Sequence, residues 1–410
     1  MNAARVIGLI LTFGLLCTSC GIDRDRGDQR AWTGSVEVSN GVTVVRNPAE
    51  PLLGQFTLEL QEGMVVGDTI HEESFFFNLI HAAVDGAGKL FIWDPNSFRI
   101  QVFDADGAFL RTVGRQGRGP GEFSEAFGTR FRVSPGGELA VLDGGRVQFF
   151  DPSGAYERGV QLPPVSSDFV VLAGDDMLLE QMNSVADGPV ETVVLVDEEG
   201  EPGATLASYR SEKWQGAFIR RLRFTHLAPV LVLAPWGDDG GAFGYPSAYR
   251  FTLVGGEGRV VRVVEVDEPP LEVDSELERA LIEDMSSDAP RMSPRDLEEE
   301  VYIPETWPFY DALFSDEVGN VLVQRSEPLP EPDADRQLDF FTAEGLYLYR
   351  LRVSADDIQA VRSGFLYARR FNRDINVSQL VRYRILNWDA IIGTAGQYRL
   401  PPAITESRGQ

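Results

Sequence analysis

The segment Arg99 to Gly107, Arg-Ile-Gln-Val-Phe-Asp-Ala-Asp-Gly, returns four more times in one frame. No other feature limits so strongly what this chain can fold into. The later copies start at Arg146, Thr192, Arg250 and Gln337, and each closes eight residues on at Gly154, Gly200, Gly258 and Gly345. Hydrophobic and β-branched residues followed by a glycine free to take φ > 0 describe a strand running into a tight turn. A mostly extended unit repeating every roughly 45 to 50 residues is the requirement for a propeller blade.

Around each copy the other strands of a blade can be placed. Blade 1 reads as Ile80 to Val84, Leu90 to Asp94, the Arg99 strand and Ala108 to Val113, and blade 2 repeats it from Phe131 to Val160, with Asp143 in the place of Asp94. Blades 3, 4 and 5 follow at about 168–210, 222–267 and from Phe309, and a last repeat starts near Ile358 without a fourth strand of its own. The predicted fold is all-β: a six-bladed β-propeller of four-stranded antiparallel blades. An N-terminal strand such as Phe56 to Leu60 completes blade 6 and closes the ring, hiding both sheet edges. From Asp274 a capping residue, early acids and apolar Leu277, Leu281 and Met285 predict a short helix, in an insert at about 271–303 between blades 4 and 5.

The chain of 410 residues carries 63 Asp and Glu against 37 Lys and Arg, a formal charge of -26 that excludes nucleic acid as a partner. Both cysteines, Cys17 and Cys20, precede the repeats, so the folded body has no disulfide and no thiolate metal site. Arg5, the apolar run Val6 to Leu16 and the small pair Thr18 and Ser19 before Cys20 form a secretory signal. This pattern resembles the lipobox of bacterial lipoproteins, with Cys17 standing where leucine is commonest. The resemblance implies removal of residues 1–19, lipidation of Cys20 and, with Gly21 next, an address at the outer membrane facing the periplasm. Residues 20–40 then read as a flexible tether, 41–400 as the propeller and 401–410 as a tail.

Asp94, Asn96, Arg99 and Phe103, followed by Gly114 to Phe123 (Gly-Arg-Gln-Gly-Arg-Gly-Pro-Gly-Glu-Phe), resemble the NHL-type six-bladed propellers, among them bacterial envelope proteins of uncharacterised function. The likeness covers blades 1 and 2. It implies a fold and supplies no ligand.

In such a blade the first-to-second and third-to-fourth turns share one face, while second-to-third loops and blade crossings share the other. The first set is tight. The second includes Arg115 to Phe123, Asn183 to Val190, Trp236 to Ala248, Ser326 to Asp335 and the helical insert, so a ligand is expected on that loop-rich face. Arg115 and Arg118 are candidate anion ligands there, and ion pairing is their structural alternative. Arg130, Arg221 and Arg223, with Arg132 and Arg220, fall at innermost strands, where a basic channel mouth suits a carboxylate or phosphate. His81, on another innermost strand, is a candidate ligand contact or a packing residue. The glycine-rich run lacks the Lys-Ser/Thr ending of a phosphate loop, and no Gly-x-Ser-x-Gly elbow occurs. No catalytic residue and no metal ligand are assigned. No cofactor is expected, calcium at carboxylates such as Asp94 and Asp143 being the one the residues allow. The first functional reading is a lipid-anchored binding or scaffolding module for an envelope protein, peptide or polymer, touching the membrane only through its lipid. The alternative is a lactonase-like propeller hydrolase or lyase with a metal in the channel.

Overall fold

The computed structural model describes residues 31–77, 81–125, 128–185, 188–211, 227–288, 301–330, 334–355, 357–402 and 404–405, and those from Trp32 onward belong to one compact unit. Six four-stranded antiparallel blades follow one another, and added strands extend blade 4 to a seven-stranded sheet and blade 5 to a five-stranded one. Blade 1 is His81–Val84, Leu90–Asp94, Arg99–Phe103 and Phe109–Val113, and blade 2 is Arg130–Val133, Leu139–Asp143, Arg146–Phe150 and Tyr156–Gln161. Blade 3 runs from Ser166–Val171 to Pro202–Arg210, blade 4 from Val232–Trp236 to Val260–Asp267, and blade 5 from Tyr310–Ser315 to Tyr347–Val353. Blade 6 is Ile358–Arg362, Phe365–Asn372, Val377–Ile385 and the N-terminal Leu60–Val66. Each inner strand touches that of the next blade, and the inner strand of blade 6 touches that of blade 1, so the ring is closed.

The second strands explain the packing. Leu90–Asp94 and Leu139–Asp143 are buried at every residue, because a blade is covered on both faces. Alternate residues serve different neighbours: Phe91 and Trp93 pack with Phe131 and Val141 of blade 2, while Leu90 and Ile92 pack with Tyr367 and Leu380 of blade 6. A separate apolar cluster fills each of the six interfaces.

The N-terminal chain closes the ring one step later than the sequence predicts. Gln55–Thr57 lies in parallel against the outer strand of blade 5, and the strand that completes blade 6 is Leu60–Val66, antiparallel to Val377–Ile385. The residues expected to form the end of a tether are also structured. Ser35–Ser39 pairs with Val42–Pro48, which lies in parallel on the outer strand of blade 4. The chain therefore skirts blades 4, 5 and 6 before entering blade 1. Asn47 fixes this path: its buried amide donates to the carbonyl of Gly345 (2.9 Å) and accepts from the backbone N–H of Tyr347 (2.9 Å). The tail contributes Ile404–Thr405, paired with Ser35–Ser39. Alternation of apolar residues cannot distinguish an inner-face partner from an outer-edge one, so these segments read only as extended.

Two further differences have local causes. Trp236 to Ala248 is not one long loop, since Gly240–Gly244 is the second strand of blade 4. Its glycines hide the strand signal. They are there because a Cβ at Gly241 would meet Leu178 and one at Gly244 the Tyr310 hydroxyl. A helix absent from the sequence reading, Trp388–Ala395, buries Trp388 and Ile391 against blades 5 and 6. The predicted insert helix is Ser275–Asp288, capped by Asp274 Oδ1, which accepts from the N–H groups of Glu276 (3.0 Å) and Leu277 (2.9 Å). Residues 289–300 of the insert lie outside the described residues.

The five repeat glycines meet two demands at once. All have positive φ, from 72° to 93°, and each N–H closes the turn on the carbonyl three residues back. Each also sits where a side chain would strike a neighbouring blade; a Cβ at Gly200 would collide with the Gln161 carbonyl oxygen of blade 2. Blade 6 has no copy because its outer strand arrives from the N-terminus and needs no such turn. Gly174, with φ 78° and open space around it, meets only the first demand. Gly174→Ala is therefore expected to cost about 1–2 kcal/mol, and Gly200→Ala about 1–3 kcal/mol more from overpacking. Urea unfolding midpoints of the two variants check the difference.

Candidate functional site

The six inner strands surround an axial cavity of about 740 Å³. It stays open because its wall carries small residues, among them Ala82, Ala83, Ala234, Ala360, Gly237 and Gly240. Its charges are segregated. At the crossing end, where inner strands begin, stand His81, Arg130, Arg132 and Asp168. At the turn end stand the carboxylates Glu138, Glu157, Asp175, Asp238 and Asp239 beside Arg158 and Arg362.

The crossing end is built around one carbonyl. Phe131 O accepts from Arg132 Nη1 at 3.1 Å and from His81 Nε2 at 3.3 Å. A carbonyl has no proton to give, so His81 carries its hydrogen on Nε2 and leaves Nδ1 as an acceptor. The imidazole packs edge-on against the Phe131 ring, with centroids 4.7 Å apart. Burial, and then the charge of Arg132, push His81 down to about 3, so the ring is neutral at physiological pH. Arg132 Nη2 donates to Asp168 Oδ1 of blade 3 at 2.7 Å, while its Nε is buried without a partner. Arg130 gives one bond, to the Thr129 carbonyl at 3.3 Å, and meets no carboxylate among the described residues.

Of the residues singled out in the sequence, Arg130 and His81 are thus brought together with Arg132. Arg115 and Arg118 are not. They sit on the crossing between blades 1 and 2, where Arg115 pairs with Glu122 at 2.9 Å and both are exposed. Arg221, Arg223 and Cys20 lie outside the described residues. Asp94 and Asp143 are engaged as local ties: Asp94 accepts from the Asn96 N–H (3.0 Å), and Asp143 from the N–H groups of Ser124 and Glu125 (both 2.8 Å). Among the described residues, no group of three or more His, Cys, Asp or Glu is placed to hold a metal ion. The longest loops and the axial cavity do not coincide, because the cavity is walled by inner strands and reaches the first-to-second turns of blades 2, 3 and 4.

A polar cluster that the sequence reading passed over occupies the third position of the repeat. Gln101, Gln148, Val194, Thr252 and Asp339 hold that place, all buried and four of them polar. Gln148 clamps the crossing loop, accepting from the Gly121 N–H (2.9 Å) and donating to the Glu122 carbonyl (2.8 Å). Asp339 accepts from Arg325 (2.9 Å), Arg350 (2.9 Å), Tyr347 (2.6 Å) and Tyr249, and the two arginines also reach Glu268. Burial, and then the Asp339 charge, hold Tyr249 and Tyr347 above the usual phenol range. Two cations meet two anions with the hydroxyls directed inward. This makes the cluster a brace between blades 4 and 5. A polar residue set among the buried apolar positions of a strand is the signal that marks it.

The crossing face carries a third feature. Ile70, Phe75 and Phe77, ahead of blade 1, are 82%, 44% and 57% exposed, and Phe371 and Ile375 of the blade 6 hairpin are exposed beside them. The Phe76 carbonyl accepts from the Ser378 N–H at 2.8 Å, and Ser378 is the cross-strand partner of Phe371, so the two segments form one apolar surface. Toward the turn face the exposed large apolar side chains include Val318 and Leu386, and Phe109, Leu110 and Tyr156 where outer strands leave the glycine turns.

A model of the DUF5128 family, described as a 6-bladed beta-propeller, matches residues 72–225. No curated protein matches the chain. Among solved structures, a putative exported protein from Bacteroides fragilis is 11% identical with a TM-score of 0.48, aligned over 83% of this chain and 99% of its own. A member of the duf4221 family from Bacteroides vulgatus is 11% identical with a TM-score of 0.47, over 80% and 98%. Virginiamycin B lyase from Staphylococcus aureus is 9% identical with a TM-score of 0.39, over 80% and 100%.

The neutral, enclosed imidazole of His81 has a measurable consequence. In the unfolded chain it titrates near 6.5, and in the fold near about 3, so between those values the unfolded state binds the extra proton and stability rises with pH. Lowering the pH from 7 to 4.5 is expected to cost on the order of 2–3 kcal/mol through this group. His81→Phe removes that part of the pH dependence, which urea unfolding of both chains across the range checks.

Proposed function

We propose that this chain is a lipid-anchored protein of the bacterial cell envelope, an NHL-type propeller that acts as a binding or scaffolding module and docks an envelope protein through its crossing face. The observation that carries this reading is the set of exposed apolar side chains Ile70, Phe75, Phe77, Phe371 and Ile375 on the face of the long loops. A contiguous exposed apolar area on a rigid scaffold favours association. The hairpins of blades 3 and 6 support the same assignment. Met177–Val185 and Gly188–Val196 have nine residues each, against five in Leu90–Asp94 and Arg99–Phe103, and they lengthen the scaffold on that side. The anchor rests on the signal and the small residues that lead to Cys20.

A photo-crosslinking residue at Phe77 is expected to give one recurrent adduct in intact cells, which the same residue at Val318 does not give. Phe371→Ser reduces that adduct at least about 5-fold, a loss of roughly 1 kcal/mol of docking energy. Equal adducts from both positions would remove the assignment of the face. Cys20→Ala is expected to leave the chain unprocessed and unlabelled by a fatty acid probe, read by gel shift and by fractionation of membranes.

A further inference from the structure

We infer that the crossing end of the axial cavity binds a small organic monocarboxylate, with Arg130 as its charge partner and the alanine-lined wall receiving its apolar part. Among the described residues that line this cavity, every arginine but Arg130 meets an acid. Arg132 pairs with Asp168, Arg158 with Asp175 and Arg362 with Asp238. Arg130 alone among them spends its guanidinium on a single, long bond to a neighbouring carbonyl.

Beside it, Arg132 is tied down through both terminal nitrogens, while its Nε, like that of Arg362 at the turn end, is buried with no partner among the described residues. Buried donors are rarely left without an acceptor. A carboxylate is planar and takes two parallel N–H donors, which suits it to a guanidinium held in a fixed orientation.

The surroundings narrow the class. Arg130 and Arg132 against Asp168 leave one net positive charge, since His81 is neutral. That matches a monoanion, and Asp168 penalises a dianion. The carboxylates of the turn end repel an anion from that side, so it rests at the crossing end. Ala82, Ala83 and Ala360 offer apolar surface beyond the charged groups. The cavity falls within the range of roughly 300–1,000 Å³ usual for small-ligand pockets.

The test uses the full chain in detergent, in a buffer free of carboxylates and phosphate, with benzoate, neutral benzamide and inorganic phosphate as probes in calorimetry or ligand-observed NMR. Benzoate is expected to bind with a Kd at or below about 1 mM, and benzamide and phosphate at least about 10-fold more weakly. Arg130→Gln weakens benzoate at least about 10-fold, Arg130→Lys recovers most of that loss, and Arg118→Gln, on the exposed crossing, changes nothing. Benzoate binding equally well to Arg130→Gln, phosphate binding as tightly as benzoate, or no benzoate binding below about 10 mM would each overturn the assignment. If Arg130→Gln does not melt cooperatively, salt decides: 0.5 M NaCl weakens benzoate at least about 5-fold when charge holds it, and unchanged affinity overturns the site.

Discussion

Burial of every blade on both faces is the constraint from which the rest of this structure follows. A sheet with one wet face alternates apolar and polar residues, whereas the second strands of blades 1 and 2 are closed to water along their whole length, and that of blade 1 divides its side chains between two neighbours. Neither face can be left open, so every blade needs another on each side, and the only arrangement that satisfies all six is a ring. That explains the cost accepted at the N-terminus, where the chain travels past two blades before supplying the missing strand of the sixth. Closure by a strand from the opposite end of the sequence joins the N-terminal chain and the last repeat within one sheet, that of blade 6.

Polar groups inside such a stack must be satisfied within it. The third position of the repeat shows how: it lies between blades, and where it is polar it ties down a crossing, as Gln148 does, or gathers counter-charges, as Asp339 does with Arg325 and Arg350. Breaking a buried pair leaves an unpaired charge, at a cost of about 3–5 kcal/mol, so these residues fix the angle between blades as firmly as the apolar clusters do. Gln101 holds the same position in blade 1 and is buried, with no partner among the described residues.

The ring also gives the two faces different characters. Tight turns closed by glycine and by aspartate side chains make the turn face short and polar, while crossings and long hairpins gather on the other. The inner strands leave a channel because their side chains are small, and the sign of its charge changes from one end to the other. Rigid walls and distinct ends permit a surface contact and a small-molecule site to coexist without sharing residues.

The sequence by itself determined the repeat, the blade count, the glycine turns, the cap of the insert helix and the acidic character, because each is written in local periodicity or in a backbone conformation that few residues can adopt. Of the candidate site it determined the residue types. His81 and Arg130 were legible as inner-strand residues, but their meeting at the Phe131 carbonyl was not, since it depends on strands from different blades. Only the tertiary structure decided which N-terminal strand closes the ring, that Gly240–Gly244 is a strand, that Arg115 is paired while Arg130 is not, and that Asp339 is a hub. In each case the deciding partner is remote in the chain, and no local pattern encodes the distance between residues that only closure of the ring brings together.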